Sequence, residues 1–516
     1  MTLQYLNVNN FTFENPMFWG AFVVGLIYYF FIRDPNPAPP EFYRIPRLPT
    51  WDIVRGMLSF KPINLKESIH TARKRAKNTG VLRYTVMGRK IVRVTDPKLV
   101  KEVLHRADNF PKRDFSQDNR LKHHLFSKFA GTNIVMVNGE TWRRYRKVVN
   151  PAFHRSWDTQ VFGGCVEVLD QVIEKNLDCF DSAKAFQGLT LDILGKALFN
   201  YNFDAVKNPD SEIVVNYEKI MKVGHPIYFF LPILDKYPFG QRRIAHQKVE
   251  EFHQLLSNII AQKRQEIREK KQEIVPEKAD LLTLMLLANS NELGETTLTD
   301  KELRDNLVLF FIAGHDTTAS ALISATYFMA KHPECQAKAR DEVYSVLGDS
   351  PQRVIPTFEQ QKQFSYLNLV MRESMRHFPP VVRIGARRTT SDQQLGEYII
   401  PAGTSLELDV LNVHHDIEFW GKDADEFRPE RFNEIDEKKR RELDSMHYIP
   451  FSTGSRFCLG MSMSLVEQRV VLSMLLHKYE WTLAPESLAQ DEKDLCYGRS
   501  LLVRPVGIKL KFKKRY

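Results

Sequence analysis

Cysteine is sparse in this chain, and no spacing pairs one cysteine with another. Cys165, Cys179, Cys335, Cys458 and Cys496 are odd in number, widely scattered and free of any Cys-x-x-Cys pattern. That argues against a disulfide framework and against a zinc site. It also implies that the body of the chain faces a reducing compartment. Basic arms with interleaved aromatics are missing too. The net charge of +10, from 73 Lys and Arg against 63 Asp and Glu, is spread over 516 residues. Such a balance speaks for an anionic membrane surface or an acidic protein partner, and against nucleic acid. There are no internal repeats, which sets solenoids aside, and no Lys or Arg before Arg33.

What is present describes a folded chain. Hydrophobic residues make up 43% and charged residues 26%, the composition of a globular protein. The length fits one large helical domain or two modest ones. Met17 to Ile32 is an uncharged apolar run, with Phe11 and Phe13 before it and Arg33, Arg44 and Arg47 after it. At about 1.5 Å per residue it is slightly short for a hydrocarbon core of about 30 Å, which bilayers accommodate by thinning. The asymmetry of positive charge puts the N-terminus in the lumen and the body in the cytosol. No small-residue cleavage site follows, so the run reads as an uncleaved anchor. Residues 1–33 are therefore expected to be a luminal tail and transmembrane helix. Residues 34–50, rich in proline, form a stiff hinge that holds the body off the membrane. Residues 51–516 form the body of the chain. Asn10-Phe-Thr12 is a glycosylation sequon on the luminal side.

The stretch Phe451-Ser-Thr-Gly454-Ser-Arg456-Phe-Cys458-Leu-Gly460 precedes a helical pattern running through Met461, Leu465, Val466, Arg469, Val470 and Leu472. It reads as a glycine-bent loop that delivers one thiol to the start of a helix. Backbone N–H groups at a helix start favour thiolate. Gly454 and Gly460 permit positive φ and close approach to a flat ligand. The chemistry that fits is a thiolate bound axially to haem iron.

Thr299 and Glu302 form a capping-box pattern. The helix they open can run to His332, before Pro333, for ~50 Å. Its centre, Ala313-Gly314-His315-Asp316-Thr317-Thr318, is polar within an apolar helix, which marks function. Gly314 lets a planar ligand or dioxygen lie against the backbone. Thr317 can bond back to the Ala313 carbonyl. Asp316 and Thr317 together can organise water and relay protons. Upstream, Trp142 and Arg146 are four apart and share one helical face. Val81–Val86 and Lys90–Thr95 read as a hairpin, and Asp96-Pro97 starts a short helix ending near His105. His225 to Gly240 admits two readings, buried core or a segment that dips into lipid.

The spacing Phe451-x-x-Gly454-x-Arg456-x-Cys458-x-Gly460 resembles the haem-binding loop of the cytochrome P450 superfamily. The Ala313–Thr318 segment is similar to that family's oxygen-activation element, and the likeness runs in order over roughly residues 40 to 516. The resemblance implies a mostly helical fold with small β-sheets and heme b as cofactor. Cys458 is then the axial iron ligand, and Trp142, Arg146, Arg387 and Arg456 hold the haem propionates, with Arg388 the alternative to Arg387. Ala313, Gly314, Phe451, Gly454 and Gly460 line the cofactor. Asp316 and Thr317 serve catalysis. Glu373, Arg376 and Arg431 form a buried structural cluster. Val381 to Gly385 line the substrate pocket, where Arg383 is either a carboxylate anchor or a surface residue. His414 and His415 are structural. Ser452 stands where many members carry Gly; both are small, so little changes.

The implied activity is hydroxylation of a lipophilic substrate, with steroids or xenobiotics ahead of fatty acids and a fungal microsomal flavour. No flavin or nicotinamide domain is legible, so electrons are expected from NADPH through NADPH-cytochrome P450 reductase in the endoplasmic reticulum membrane, with cytochrome b5 a second donor. Arg143, Arg144, Lys147 and the Glu437–Arg441 cluster are candidates for the docking face. The rival readings are a haem-thiolate isomerase or peroxygenase and a non-catalytic haem-binding protein. Neither needs the Asp316–Thr317 pair.

Overall fold

The computed structural model describes residues 37–516 apart from 50–51, 54–58, 60, 77–78, 87, 114–122, 223–232, 270–278, 291–297 and 499–501, together with Gly25, Tyr28 and Tyr29. The sequon and, apart from Gly25, Tyr28 and Tyr29, the expected transmembrane helix lie outside the described residues, as do residues 225–232 of the 225–240 segment.

One helix organises the molecule. Asp300–Lys331 opens with both halves of the capping box: Thr299 Oγ1 accepts from Glu302 N at 3.2 Å, and Glu302 accepts from Thr299 N at 2.9 Å. Among the described residues it alone is long and apolar enough to cross a membrane, but 72% of its apolar window is buried inside the protein. It is a core helix. Helices Gly139–Phe153, Thr159–Lys175, Ser182–Leu194, Gly240–Glu269, Ser365–His377 and Met461–Lys478 surround it and share one large apolar core. The stretch that reads as helical from 159 to 222 is divided by sequence-encoded stops. Asp158 and Asp181 cap new helices, and Phe180–Asp181 pairs as a short strand with Lys509–Lys514.

The sheets are small. Val81–Val86, Arg89–Val94, Ser405–Asp409 and Arg383–Arg388 form a four-stranded sheet in that order. The first and last pairs are antiparallel and the middle pair is parallel. Its hairpin turns through Gly88 at φ 70°. The register slips between Ile384 and Arg387, which re-aims Arg387. The hinge differs from expectation. Leu48 N donates to Arg83 O at 2.9 Å and Arg83 N to Pro46 O at 2.8 Å. Phe42, Ile45 and Leu48 are buried against the sheet. Residues 42–48 therefore belong to the body, because three apolar side chains there gain more from burial than from spanning water.

Candidate active site

Cys458 sits where a tight loop meets the helix Met461–Lys478. Its N–H donates to Phe451 O at 2.9 Å, closing the loop on itself. Gly454 is required on two counts. Its φ is 73°, and a Cβ there would lie 2.9 Å from Leu104 O. Ser452 also has positive φ, 61°, so conformation, not size, distinguishes it from glycine.

Cys458 is exposed by surface area, yet protein atoms crowd its sulfur closely enough for burial to raise the thiol pKa. The N–H groups of Gly460 and Met461 and the Arg146 charge pull the other way and offset only part. The N–H groups at the helix start lower the thiol pKa as expected, while desolvation outweighs them in this structure. Coordination to a metal ion deprotonates a thiol outright.

The long helix turns its polar centre to the same region. Thr318 Oγ1 and Ser464 Oγ are 3.0 Å apart, linking that helix to the one following Cys458. Ala313 is exposed and Thr317 half-buried, between buried Phe311, Ile312 and Thr318. Thr317 Oγ1 donates to Ala313 O at 2.7 Å, as expected. Gly314 also bears on helix packing. A Cβ on it would meet Leu194 Cδ1 at 2.4 Å, so the bare Cα gives that side chain of the neighbouring helix its room. Asp316 is held away from Thr317. Its Oδ1 accepts from Gln187 Nε2 at 2.9 Å and its Oδ2 from Tyr217 Oη at 2.8 Å, with Arg504 Nη1 3.6 Å away.

Four cations gather on the other side of the loop. Arg456 Nη1 donates to Val137 O at 2.9 Å, and its guanidinium lies 4.2 Å from the Trp142 ring centre. Arg146 lies over Trp142 and Phe457 at 5.7 and 5.1 Å. Arg387 is 1% exposed and donates Nη1 to Phe110 O at 2.6 Å, but its Nε and Nη2 have no partner. Burial brings its pKa down to about 10. Lys112, which sequence reasoning missed, is pushed down to about 7 by burial and then by Arg387 and Arg456. Among the described residues no carboxylate forms an ion pair with any of the four. Such a cluster calls for a dianionic ligand. Arg388 is exposed and donates Nε to Gly403 O at 3.2 Å, outside the cluster that Arg387 joins.

The expected structural cluster is complete. Glu373 accepts from Arg376 Nε at 2.8 Å and Arg431 Nε at 2.8 Å, all three being buried. Burial would raise the Glu373 pKa, but Arg376 and His377 hold it well below the usual range. Arg376 Nη1 donates to His414 O at 2.9 Å, and His414 Nε2 accepts from Ile449 N at 2.8 Å, just before the cysteine loop. His414 is thus a structural link, and the described residues contain no group of metal-ligating side chains. Arg383 is exposed, and its charge acts on Glu407 and Tyr84 across the sheet.

The cytochrome P450 family profile matches residues 46–512. The chain belongs to the cytochrome P450 family. This P450 is 30% identical to Cytochrome P450 734A1 of Arabidopsis thaliana over 76% of this chain and 73% of the other. It is 28% identical to 11-oxo-beta-amyrin 30-oxidase of Glycyrrhiza uralensis, again over 76% and 73%. The crystal structure of the cytochrome P450DA heme domain superposes with a TM-score of 0.76 at 21% identity, covering 92% of this chain and 98% of that one. These curated relatives are plant proteins and give the fungal resemblance no support.

The cofactor of the family is haem, and the residues present fit it. A thiol stands at the loop, and orphaned N–H groups of Arg387 lie among cations that repel one another. Lys112, Arg146, Arg387 and Arg456, with Trp142, would hold the two propionates, and Cys458 the iron. Gln187, Tyr217 and Arg504 were invisible beforehand, because each reaches Asp316 from a distant element with no spacing signal.

Proposed function

We propose that this P450 is a membrane-anchored monooxygenase that hydroxylates a bulky polycyclic lipophile, a triterpenoid or steroid in preference to a fatty acid. The observation that carries this reading is the Cys458 loop linked through Ser464 to a helix whose Ala313 and Thr317 face open space. Haem supplies reductive dioxygen activation and insertion of one oxygen atom into a C–H bond. The chain supplies the rest. Thr317 keeps a hydroxyl proton at Oγ1, directed at the Ala313 carbonyl. Asp316 takes protons from solvent on the Arg504 side once it leaves Tyr217. Apolar side chains around Val382 and Ile384 exclude water.

A triterpenoid-sized substrate agrees with a relative whose name describes oxidation of 11-oxo-beta-amyrin. A fatty acid asks for a carboxylate anchor, and Arg383, the candidate for one, is exposed on the sheet. Electrons come from NADPH through the reductase, with cytochrome b5 a second donor. Arg143, Lys147, Lys438, Arg440 and Arg441 are exposed and offer the docking charge. Arg144 does not, because Glu302 occupies it at 2.5 and 3.0 Å. Residues 17–32 anchor the chain in the endoplasmic reticulum membrane, with the catalytic domain in the cytosol.

Optical titration of the ferric protein tests the substrate class. Triterpenoid and steroid panels are expected to give a saturable low-to-high-spin shift. A shift with fatty acids alone would overturn the assignment.

A further inference from the structure

Asn138 occupies the N-cap of helix Gly139–Phe153, with extended φ −128° and ψ 174°. Asparagine there ordinarily turns its side chain back onto the first-turn N–H groups. Asn138 makes no such bond. Its amide is committed elsewhere. Oδ1 accepts from Lys112 N at 2.9 Å and from Arg456 Nη2 at 3.1 Å, and Nδ2 donates to Lys112 O at 2.7 Å. One side chain thereby joins two segments distant in sequence, each of which carries a cation of the propionate cluster.

The ties continue outward. Lys112 bridges Arg387 antiparallel, and Arg388 N donates to Pro111 O at 3.0 Å. The segment bearing Asn138 is pinned to the long helix, since Asp305 accepts from Thr132 N at 3.0 Å and Asn306 from Ile134 N at 2.9 Å. Lys112, Arg387 and Arg456 repel one another, so whatever sets their spacing has to be neutral. An amide both accepts and donates without charge. Aspartate would bring a carboxylate that competes with the ligand, and serine cannot reach both segments.

We propose that Asn138 is a positioning residue for the cofactor's carboxylates. It gives up its capping role to hold Lys112 and Arg456 where their charges converge on the haem propionates. It touches neither iron nor substrate.

The test compares the haem-loaded wild type with Asn138→Ala and Asn138→Ser, each loaded with haem or with its dimethyl ester, whose carboxylates are neutral. Release to excess apomyoglobin is timed, and the thiolate spectrum verifies loading independently. Both variants are expected to release haem roughly tenfold faster, the scale on which groups supporting a ligand act, and to release the ester at the wild-type rate. Serine can cap the helix, so Asn138→Ser is expected to melt no earlier than wild type, and it carries the test if the alanine variant does not fold. Equal acceleration with haem and ester, or unchanged release of haem, would overturn the proposal.

Discussion

Ser452 is held at φ 61° by the loop that Cys458 closes. A side chain in the left-handed region costs roughly 1–2 kcal/mol. Glycine removes that cost but loses more entropy on folding, by roughly 0.5–1 kcal/mol. Ser452→Gly is therefore expected to stabilise the folded protein by about 0.5–1 kcal/mol, read from its urea midpoint, with the thiolate spectrum unchanged. A destabilised variant would mean that the hydroxyl has a role beyond its bond-free surroundings. Thr317 invites a second substitution at this scale. Its hydroxyl bonds only to the Ala313 carbonyl of its own helix, so its removal leaves the packing intact. Thr317→Ala is expected to keep substrate binding while diverting electrons from product to peroxide. Product formed per NADPH consumed is the measurement, and an unchanged ratio would remove Thr317 from proton handling.

At the scale of elements, the helix pair Ser182–Leu194 and Asp300–Lys331 depends on Gly314. Alanine there would drive a methyl to within 2.4 Å of Leu194 Cδ1, the free end of a side chain that can turn aside, so the overpacking costs about 1 kcal/mol. Gly314→Ala alone is expected to lower stability by that amount. Adding Leu194→Ala removes the clashing methyl, so the double variant is expected to be more stable than the sum of the two single losses. Additive losses would show that the helices part freely at this point. The same pair shows what the sequence can and cannot tell. The capping box Thr299–Glu302, the cysteine loop and the Glu373–Arg376–Arg431 cluster are local or motif-bound, and all three were legible. The Leu194 contact beside Gly314 is not legible, because a sequence does not reveal which neighbour fills the space beside a glycine. Lys112 and Asn138 were missed for a related reason. Each matters through a partner hundreds of residues away, and neither carries a periodic or spacing signal. Proline density at 34–50 was read as a spacer, yet Phe42, Ile45 and Leu48 decide that its second half is core.

The whole molecule carries a pH response that no single element contains. His124, His414, His415 and His447 lie in different places and all are buried. Burial first, then neighbouring charges, push His124 and His447 down to about 4 and His414 and His415 down to about 3. His414 shows why the neutral form is wanted, since its Nε2 accepts from Ile449 N at 2.8 Å and a protonated ring cannot accept. In the unfolded chain each returns to about 6.5. Between about pH 6.5 and 4 the unfolded state therefore binds more protons than the folded state, and stability falls as pH drops through that window. Each such histidine contributes up to about 1.4 kcal/mol per pH unit. Four acting together would steepen the loss to about 5 kcal/mol per pH unit near pH 5. Denaturant unfolding at a series of pH values reads the net slope, in which the four histidines are opposed by buried Glu467, whose carboxyl is pushed well above its usual range by burial. His414→Asn keeps a side chain that can accept from Ile449 and should remove about one proton from that slope, while Cys458 keeps its ligand role. An unchanged slope in His414→Asn would mean that the His414 ring is already charged in the folded protein, and that its contact with Ile449 is not the one that holds the cysteine loop.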